Sequence, residues 1–258
     1  MKKLFVKFTI LALFTTAISA CVIHVGGNKG QKANVQLTEK LELDATGLRN
    51  FEIEAGAGDL TIRGIEGQTN IIVEASIFTT KQKDYQLTLR KNGKSAELVA
   101  KHDGSSGYWI GSSPRIHLQI TMPLELALTI DDGSGDISIS NVTNGIAIDD
   151  GSGNILLNQV AKDIVIDDGS GDIVVKNAHG NVWIDDGSGE LYIANIKGNV
   201  DIEDGSGDLT VTQISGLVTI DDGSGDISIN TAGGLTIIES GSGGLAISGI
   251  KGNVSIDD

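Results

Sequence analysis

Pairs of carboxylates recur at a fixed spacing along the second half of the chain, and they are the residues whose type and spacing could do chemistry. The stretch "IDDGSGDI" begins at Ile130, and near-copies begin eighteen residues apart, at Ile148, Ile166, Ile184, Ile202 and Ile220. Carboxylates that stand close together can bind hard cations such as Ca²⁺. An aspartate beside glycine can equally serve to turn the chain. Comparing the copies with one another separates these two uses.

The first carboxylate of each copy belongs to a set that we call the outer column. Aspartate and glutamate both occur in it, so charge matters there more than the reach of the side chain. Each member follows an apolar residue by one position and is therefore predicted to face solvent, because side chains alternate along a strand. The outer column consists of Asp131, Asp149, Asp167, Asp185, Glu203, Asp221, Glu239 and Asp257.

The second carboxylate of each copy belongs to the turn column, in which serine is the one exception. An Asp or Ser side chain can accept a hydrogen bond from the backbone N–H two residues further on, so Asp168 is predicted to bind the N–H of Ser170. The glycines on both sides of that serine are then expected to have positive φ. The turn column consists of Asp132, Asp150, Asp168, Asp186, Asp204, Asp222, Ser240 and Asp258.

A ladder of carboxylates needs something to offset its repulsion. Two unit charges about 4.8 Å apart repel by about 0.9 kcal/mol in bulk water, and by about 3.5 kcal/mol at an effective dielectric constant of about 20. Bound Ca²⁺ is one hypothesis, with ligands from the outer column and from an outward acidic position five residues further on. The alternative is a solvated acidic face, and no other cofactor is expected. The candidate ligands are Asp131, Asp149, Asp167, Asp185, Glu203, Asp221, Asp136, Asp172, Asp208 and Asp226.

The elements that must position these carboxylates follow from the apolar residues of each copy. These recur 6, 8, 11, 15 and 17 positions after the outer-column residue, as in Leu191, Ile193, Ile196, Val200 and Ile202. The spacing predicts two short strands per copy, with corners at "GSG" and near "KGN" or "HGN". No copy can bury its apolar side alone, so the copies must stack. The sequence predicts an all-β fold: a parallel, right-handed β-solenoid with 18-residue coils in unbroken register, preceded by a short irregular antiparallel β region.

The regular coils are predicted for residues 128–258 and the irregular region for residues 35–127. A degenerate copy lies at residues 53–67. Four longer runs within residues 70–122 are typical of antiparallel strands, with "KNGK" as a hairpin turn. The loop "HDGSSGYWIGSSP" that interrupts them is expected to expose Tyr108 and Trp109.

The first residues resemble the export signal of a bacterial lipoprotein. Three lysines flank the start of an apolar run, Phe8 to Phe14, that is too short to span a membrane. The following "ISAC" resembles a lipobox, which implies cleavage before Cys21 and lipidation of that residue, the only cysteine in the chain. Residues 1–20 are thus predicted to be a signal peptide, and residues 21–34 a lipidated cysteine and flexible tether. Val22 implies sorting to the outer membrane of the bacterial cell envelope.

Charge and the remaining residue types exclude several functions. Residues 128–258 contain 22 Asp and Glu but 4 Lys and Arg, a net charge of −18, whereas residues 22–127 contain 12 of each kind. Nucleic acid is therefore not an expected partner. The four histidines are isolated along the chain and no serine is matched with a base, so no enzymatic activity is predicted.

Some outward positions of the middle copies are apolar. They either contact a partner or lie beneath the irregular strands of residues 70–122, and we expect the second. The candidate partner surface consists of Leu156, Val174 and Tyr192 in one row, and Val165 and Trp183 in another.

The repeated "GSGDISI" strands, from Gly133 to Ile139 and in the later copies, resemble those of the bacterial putative-adhesin family. Members are envelope proteins catalogued mainly as a domain of unknown function. Together with the lipoprotein-like leader, the tether and the acidic array, the resemblance leads us to expect a lipid-anchored, non-enzymatic, adhesin-like or scaffolding protein that presents its acidic face to an envelope protein or a surface polymer. Two alternatives are a component that senses envelope stress or signals, and a surface module stabilised by Ca²⁺.

Overall fold

A computed structural model describes residues 33–102 and 111–257. Every regular element in this part of the chain is a β-strand. No helix in it is long and apolar enough to cross a membrane. The predicted signal peptide, Cys21, Tyr108 and Trp109 lie outside the described residues, as does most of the predicted tether.

The repeat half forms two strands per coil because its apolar residues alternate with polar ones. In the coil that begins at Asp149, the apolar residues 6, 8, 11, 15 and 17 positions further on are all buried, as predicted. The strands of the regular coils are β8 (Ala127–Ser134), β9 (Ile137–Val142), β10 (Ile146–Asp150), β11 (Ile155–Val160), β12 (Ile164–Asp168), β13 (Ile173–Ala178), β14 (Val182–Asp186), β15 (Leu191–Ile196), β16 (Val200–Asp204), β17 (Leu209–Ile214), β18 (Leu217–Asp222), β19 (Ile227–Ala232), β20 (Gly234–Glu239), β21 (Leu245–Ile250) and β22 (Val254–Ile256).

Successive coils stack in parallel, so that each strand pairs with its equivalent one coil away. Ile148, for example, pairs with Ile130 on one side and with Ile166 on the other. The odd-numbered strands β9 to β21 lie in one sheet, sheet I, and the even-numbered strands β8 to β22 lie in the other, sheet II. Their inward side chains form one apolar core. The predicted parallel β-solenoid with 18-residue coils is confirmed, and its right-handedness stays a prediction.

In six successive coils, one residue adopts the left-handed conformation without being glycine. These residues have φ between 58° and 69° and stand ten positions after the outer-column residue. The bend explains why inward positions 8 and 11 are three residues apart instead of two, since one extra residue is taken up there. Positive φ is uncommon for side chains other than Asn and Asp. The set is Asn141, Gln159, Asn177, Asn195, Gln213 and Thr231.

Before the regular coils, the chain forms two further coils and a cap. The degenerate copy supplies β2 (Asn50–Ala57) and β3 (Leu60–Ile65), which pair in parallel with β8 and β9. On their other side, β6 (Ser95–His102) and β7 (Arg115–Pro123) form another parallel coil. The prediction of antiparallel strands is therefore wrong for the pairing of β6 with β2 and of β7 with β3. The seven strands are β1 (Val35–Asp44), β2 (Asn50–Ala57), β3 (Leu60–Ile65), β4 (Asn70–Thr79), β5 (Tyr85–Asn92), β6 (Ser95–His102) and β7 (Arg115–Pro123).

Antiparallel strands close this end of the solenoid. Strand β4 pairs with β7 and β1 pairs with β4, all antiparallel, so β1 is the last strand of sheet I. Strand β5 pairs antiparallel with β6 through the predicted hairpin turn and is the last strand of sheet II. The hydroxyl of Tyr85 on β5 donates a hydrogen bond to Glu39 on β1, which joins the two edge strands.

The predicted unbroken register is wrong at one place. Ile220 pairs with Ile237, seventeen residues on, whereas Asp221 pairs with Glu239 at the usual eighteen. Ile238 is the extra residue, and its side chain is 52% exposed. A β-bulge therefore restores the outer column after a coil that is one residue short.

Candidate binding surfaces

The turn column builds the first corner of each coil. The Oδ1 atom of Asp168 accepts a hydrogen bond of 3.2 Å from the N–H of Ser170, as predicted. The same bond, of 3.1 to 3.2 Å, recurs in four other coils. These aspartates are Asp150, Asp186, Asp204 and Asp222.

Only one of the two glycines at this corner has positive φ. Gly171 has φ of 143°, and its equivalents lie between 134° and 156°. Gly169 has no positive φ, so the prediction for that position is wrong. Glycine is required there because a Cβ atom would stand 2.6 Å from the backbone oxygen of Gly151 in the preceding coil. The need for glycine thus comes from the stacking distance, which comparison within one coil could not reveal.

The turn-column carboxylates are buried, which the sequence analysis missed. The six aspartates from Asp132 to Asp222 are between 0% and 3% exposed. Strand alternation carried the signal: Ile148 points inwards, Asp149 outwards, and Asp150 inwards again. The Oδ2 atoms of all six lack a hydrogen-bond partner among the described residues, and so does Oδ1 of Asp132. Buried polar atoms without partners are costly, most of all when they are charged.

Burial raises the pKa of every aspartate in this set. The pKa rises to about 7 for Asp132 and Asp186, where neighbouring turn-column aspartates raise it further. It rises to about 6 for Asp150 and Asp204, although the N–H groups of Ser152 and Ser206 oppose the shift. The pKa values of Asp168 and Asp222 are also raised by burial. A neutral, protonated carboxyl is cheaper to bury than a carboxylate, which is the cause of the rise.

The outer column lies on the solvent side of sheet II, in register from coil to coil. Glu54 of the degenerate copy pairs with Asp131, and the column continues through successive pairs to Glu239. None of the strands β8, β10, β12, β14, β16, β18 and β20 contains Lys or Arg. No group of three His, Cys, Asp or Glu side chains in residues 33–102 and 111–257 is placed to hold a metal ion.

The acidic position five residues after the outer column supports the stack. Oδ1 of Asp136 accepts a hydrogen bond of 3.0 Å from the N–H of Asn154, and Oδ1 of Asn154 accepts one of 3.0 Å from Asp172. Asp172 and Asp208 repeat this bond at 3.0 Å, and Asp226 does so at 2.6 Å. Asn can replace Asp here because both offer Oδ1. These four candidate Ca²⁺ ligands therefore use one oxygen to link neighbouring coils.

The apolar rows lie on different sheets, so they do not form one patch. Leu156 and Tyr192 are on sheet I, where they are 42% and 39% exposed, and Val174 lies between them. Val165 and Trp183 are on sheet II, 47% and 40% exposed. The irregular strands extend both sheets lengthwise. The expectation that they cover these rows is wrong, because strands added at a sheet edge leave its outer face open.

Sheet I carries far less charge on its regular-coil strands than sheet II. Its strands β9, β11, β13, β15, β17, β19 and β21 contain no Asp or Glu. Lys176 is their one charged residue, and its Nζ atom lies 4.8 Å from the centre of the Tyr192 ring. The solenoid therefore has a nearly neutral outer face and an acidic outer face.

Solved structures are similar to this chain at low sequence identity. A putative adhesin from Bacteroides fragilis superposes with a TM-score of 0.51 at 15% identity, over 86% of this chain and 97% of that one. A putative adhesin from Parabacteroides distasonis gives a TM-score of 0.42 at 13% identity, over 86% and 97%. A putative lipid binding protein from the same species gives 0.43 at 15% identity, over 84% and 96%.

The comparison with curated proteins gave no match. The family model described as Toastrack DUF4097 matches residues 48–257, which include both additional coils and all the regular ones. This chain belongs to the Toastrack DUF4097 family.

Proposed function

We propose that this protein is a non-enzymatic, adhesin-like component of the bacterial cell envelope, anchored through lipidated Cys21. In this proposal the acidic face of sheet II binds cationic groups of an envelope protein or a surface polymer. The observation that carries the proposal is the segregation of charge between the sheets. The regular-coil strands β8 to β20 of sheet II hold the outer column and contain no basic residue, whereas the regular-coil strands β9 to β21 of sheet I contain no acid.

A one-sided ladder of like charge attracts an extended partner of opposite charge. Its members stand at the strand spacing of about 4.8 Å, so their potentials add along the stack. Val165 and Trp183 lie on the same outer face, two residues before Asp167 and Asp185. They supply apolar contact area beside the carboxylates, and contact area of this kind adds affinity at the centre of an interface.

The absence of catalysis and the envelope location rest on different grounds. Related structures bear the names of adhesins, which supports a surface role. The repeated carboxylates of the described coils are either spread along the outer column or engaged in turn bonds and bonds between coils, as Asp168 and Asp136 are. Anchorage rests on the resemblance of the leader to a lipoprotein signal. Strand β1, which follows the tether, is at the edge of sheet I, so a tether there leaves both faces accessible.

Capture of envelope partners tests the binding face. The lipidated protein in liposomes should retain its partner from an envelope extract, and the triple variant Asp149→Asn, Asp167→Asn, Asp185→Asn should retain about tenfold less, since each exposed charge contact is worth about 0.5 kcal/mol. The matched control removes three exposed acids elsewhere, through Glu66→Gln, Asp84→Asn and Glu125→Gln. Equal capture by the two triple variants would rule out the ladder as the binding face.

Anchorage is tested separately. The Cys21→Ser variant should leave the membrane fraction of the cell and appear in the soluble fraction, because the acyl chains are what hold the chain to the membrane. Retention of this variant in the membrane fraction would show that the chain is held in another way.

A further inference from the structure

A groove runs along the second corner of the coils, where each strand of sheet I ends and the next strand of sheet II begins. It has a volume of about 700 Å³ and crosses the ends of five neighbouring strands, β7, β3, β9, β11 and β13. Four strand spacings make it about 19 Å long. A groove of this size is suited to a chain-like ligand of a few units.

Two columns of residues flank the floor of this groove. The left-handed residues of three coils form one side, and the residues two positions further on form the other. Between them lie the buried side chains of Val142 and Val160. The N–H groups of Ala161 and His179 donate hydrogen bonds of 2.9 Å to the backbone oxygens of these valines. The groove is therefore built into the stack of coils and needs no ligand to form.

The left-handed residues of the groove carry primary amides, and two of these amides are unused. Asn177 donates a hydrogen bond of 2.8 Å to Oδ1 of Asn158 and accepts one of 3.2 Å from Asn195. Among the described residues, the side chains of Asn141 and Gln159 have no hydrogen-bond partner. A primary amide offers two donor hydrogens and an acceptor oxygen. One side of the groove thus presents both donors and acceptors to a ligand.

These amides are kept although glycine would be easier to place. Gln159 has φ of 61°, a region that glutamine does not favour. The equivalent residue of the last coil is Gly249, with φ of 70°, so the bend itself needs no side chain. Five of the six preceding coils nevertheless have Asn or Gln there. Retention of the amide at a strained position indicates that the side chain itself has a use.

We propose that this groove binds an uncharged oligosaccharide chain, with the amides of Asn141, Gln159 and Asn177 paired to its hydroxyl groups. A sugar hydroxyl both donates and accepts hydrogen bonds, as an amide does. The half-buried side chains of Leu124 and Ala161 offer apolar area to the C–H faces of the sugar rings.

The charges around the groove favour a neutral ligand. Of the residues that line it, Glu66 and His179 are ionisable, so the lining has no dominant sign of charge. The repeat half as a whole is strongly acidic and repels an anionic polymer, whereas a cationic one is drawn to the outer column of sheet II. An uncharged chain is subject to neither force, so contacts within the groove decide its binding.

The spacing of the amides favours a sugar chain over a peptide. The amides stand one strand spacing apart, about 4.8 Å, whereas an extended peptide presents groups on one side about every 6.8 Å, twice its rise per residue. A peptide would therefore lose register after one contact. Sugar rings carry hydroxyls along their whole length and can meet every amide. This inference rests neither on the acidic face of sheet II nor on anchorage at Cys21.

Calorimetric titration of the mature chain with Cys21→Ser tests the groove. The probes are the tetrasaccharides cellotetraose, maltotetraose, mannotetraose and chitotetraose, and at least one should bind with a Kd below about 1 mM. Asn141→Gly with Gln159→Gly should weaken binding about tenfold, the loss expected for two hydrogen bonds. The melting temperature of this variant should not fall, because glycine accepts the φ of both positions. A merely structural role of the amides would lower it.

The same column supplies a matched control. Gln213→Gly with Thr231→Gly makes the same kind of change beyond the groove and should bind the tetrasaccharide as the wild-type chain does. Ala161→Phe fills the floor and should abolish binding, with a melting curve to verify that it folds. The outer variant Asp149→Asn, Asp167→Asn, Asp185→Asn should bind normally, so failure of the proposed function would leave this result unchanged.

Three results would overturn the proposal. The first is no binding of any of the four tetrasaccharides at about 10 mM, well above the expected Kd. The second is binding that the Asn141→Gly, Gln159→Gly variant leaves unchanged. The third is tighter binding of an uncharged extended peptide, such as four Gly-Ser repeats, than of every sugar.

Discussion

The five turn-column aspartates from Asp150 to Asp222 each have one oxygen that the fold uses and one that it does not. In Asp168, Oδ1 holds the N–H of Ser170 at 3.2 Å, while Oδ2 is buried without a partner. The hydrogen bond from Ser170 favours a side chain with an acceptor at this position. The burial of Oδ2 without a partner disfavours a charged side chain there. This combination explains why Ser240 can replace the aspartate in one coil: a hydroxyl keeps the acceptor and brings no charge.

Substitution of Asp168 tests this division at the level of one residue. Asp168→Ser should keep most of the stability, because its hydroxyl can accept the same N–H. Asp168→Ala should lower the free energy of unfolding by about 0.5 to 1.5 kcal/mol more than Asp168→Ser, the usual net worth of a hydrogen bond. Urea titrations of the three proteins at one fixed pH give the comparison. Equal losses for Ser and Ala would contradict the role of the acceptor.

The sequence was sufficient to separate the two aspartates of each copy but not to place both. It predicted the turn bond of Asp168 from what replaces that residue in another copy, and the outward position of Asp167 from its place one residue after Ile166. It missed the burial of Asp168 because an acidic residue is expected outside, although strict alternation after Ile166 pointed inwards. The linking role of Asp136 was missed because its partner, the N–H of Asn154, belongs to the next coil.

Among the elements, the glycine corner depends most on the distance between coils. A Cβ atom on Gly171 would stand 1.8 Å from the backbone oxygen of Gly153, and φ there is 143°. Gly171→Ala should therefore lower the free energy of unfolding by more than about 3 kcal/mol, in the range of severe backbone strain. Gly145→Ala is the matched control, since its nearest atom, the oxygen of Asp163, is 3.4 Å away. Its loss should be under about 1 kcal/mol. Similar losses for both variants in urea titrations would contradict the clash.

Strand pairs and corners could be predicted from apolar spacing, whereas the irregular elements could not. The left-handed residues include Gln159 and Thr231, whose types do not favour positive φ, so stacking and not local preference holds them there. Ile238 falls at an inward position of the periodic pattern, so the sequence did not indicate a bulge there. The coil is one residue short because its preceding turn lacks a residue, and the bulge at Ile238 makes up the difference. The coil of β6 and β7 contacts the degenerate copy, which comes earlier in the chain, and no local signal reports such an order.

The whole molecule combines a buried acidic ladder with an exposed one, and only the exposed one is placed to meet a partner. Ca²⁺ binding along the outer column stays a prediction, and the geometry favours diffuse screening, because no three acidic side chains of the described residues converge. The buried ladder instead makes stability depend on pH. The pKa of Asp132 rises from 3.8 to about 7, and that of Asp204 rises to about 6.

The sign of this dependence follows from proton binding. Between pH values of about 4 and 7 the folded chain holds protons on the turn column that the unfolded chain has lost. Unfolding in that window releases protons, so a rise in pH favours the unfolded state. The contribution of these groups is fully present below pH 3.8 and is lost as the pH rises through about 6 to 7.

The free energy of unfolding as a function of pH, from about 4.5 to 8, tests the separation of the two columns most directly. The stability of the wild-type chain should fall with pH across this window. Asp150→Asn, Asp168→Asn, Asp186→Asn removes three of the six buried carboxyls and should remove about half of the fall. The matched outer variant, Asp149→Asn, Asp167→Asn, Asp185→Asn, should keep nearly all of it. Equal pH dependence in the two triple variants, or a wild-type stability that rises with pH, would contradict the burial of the turn column and the exposure of the outer column.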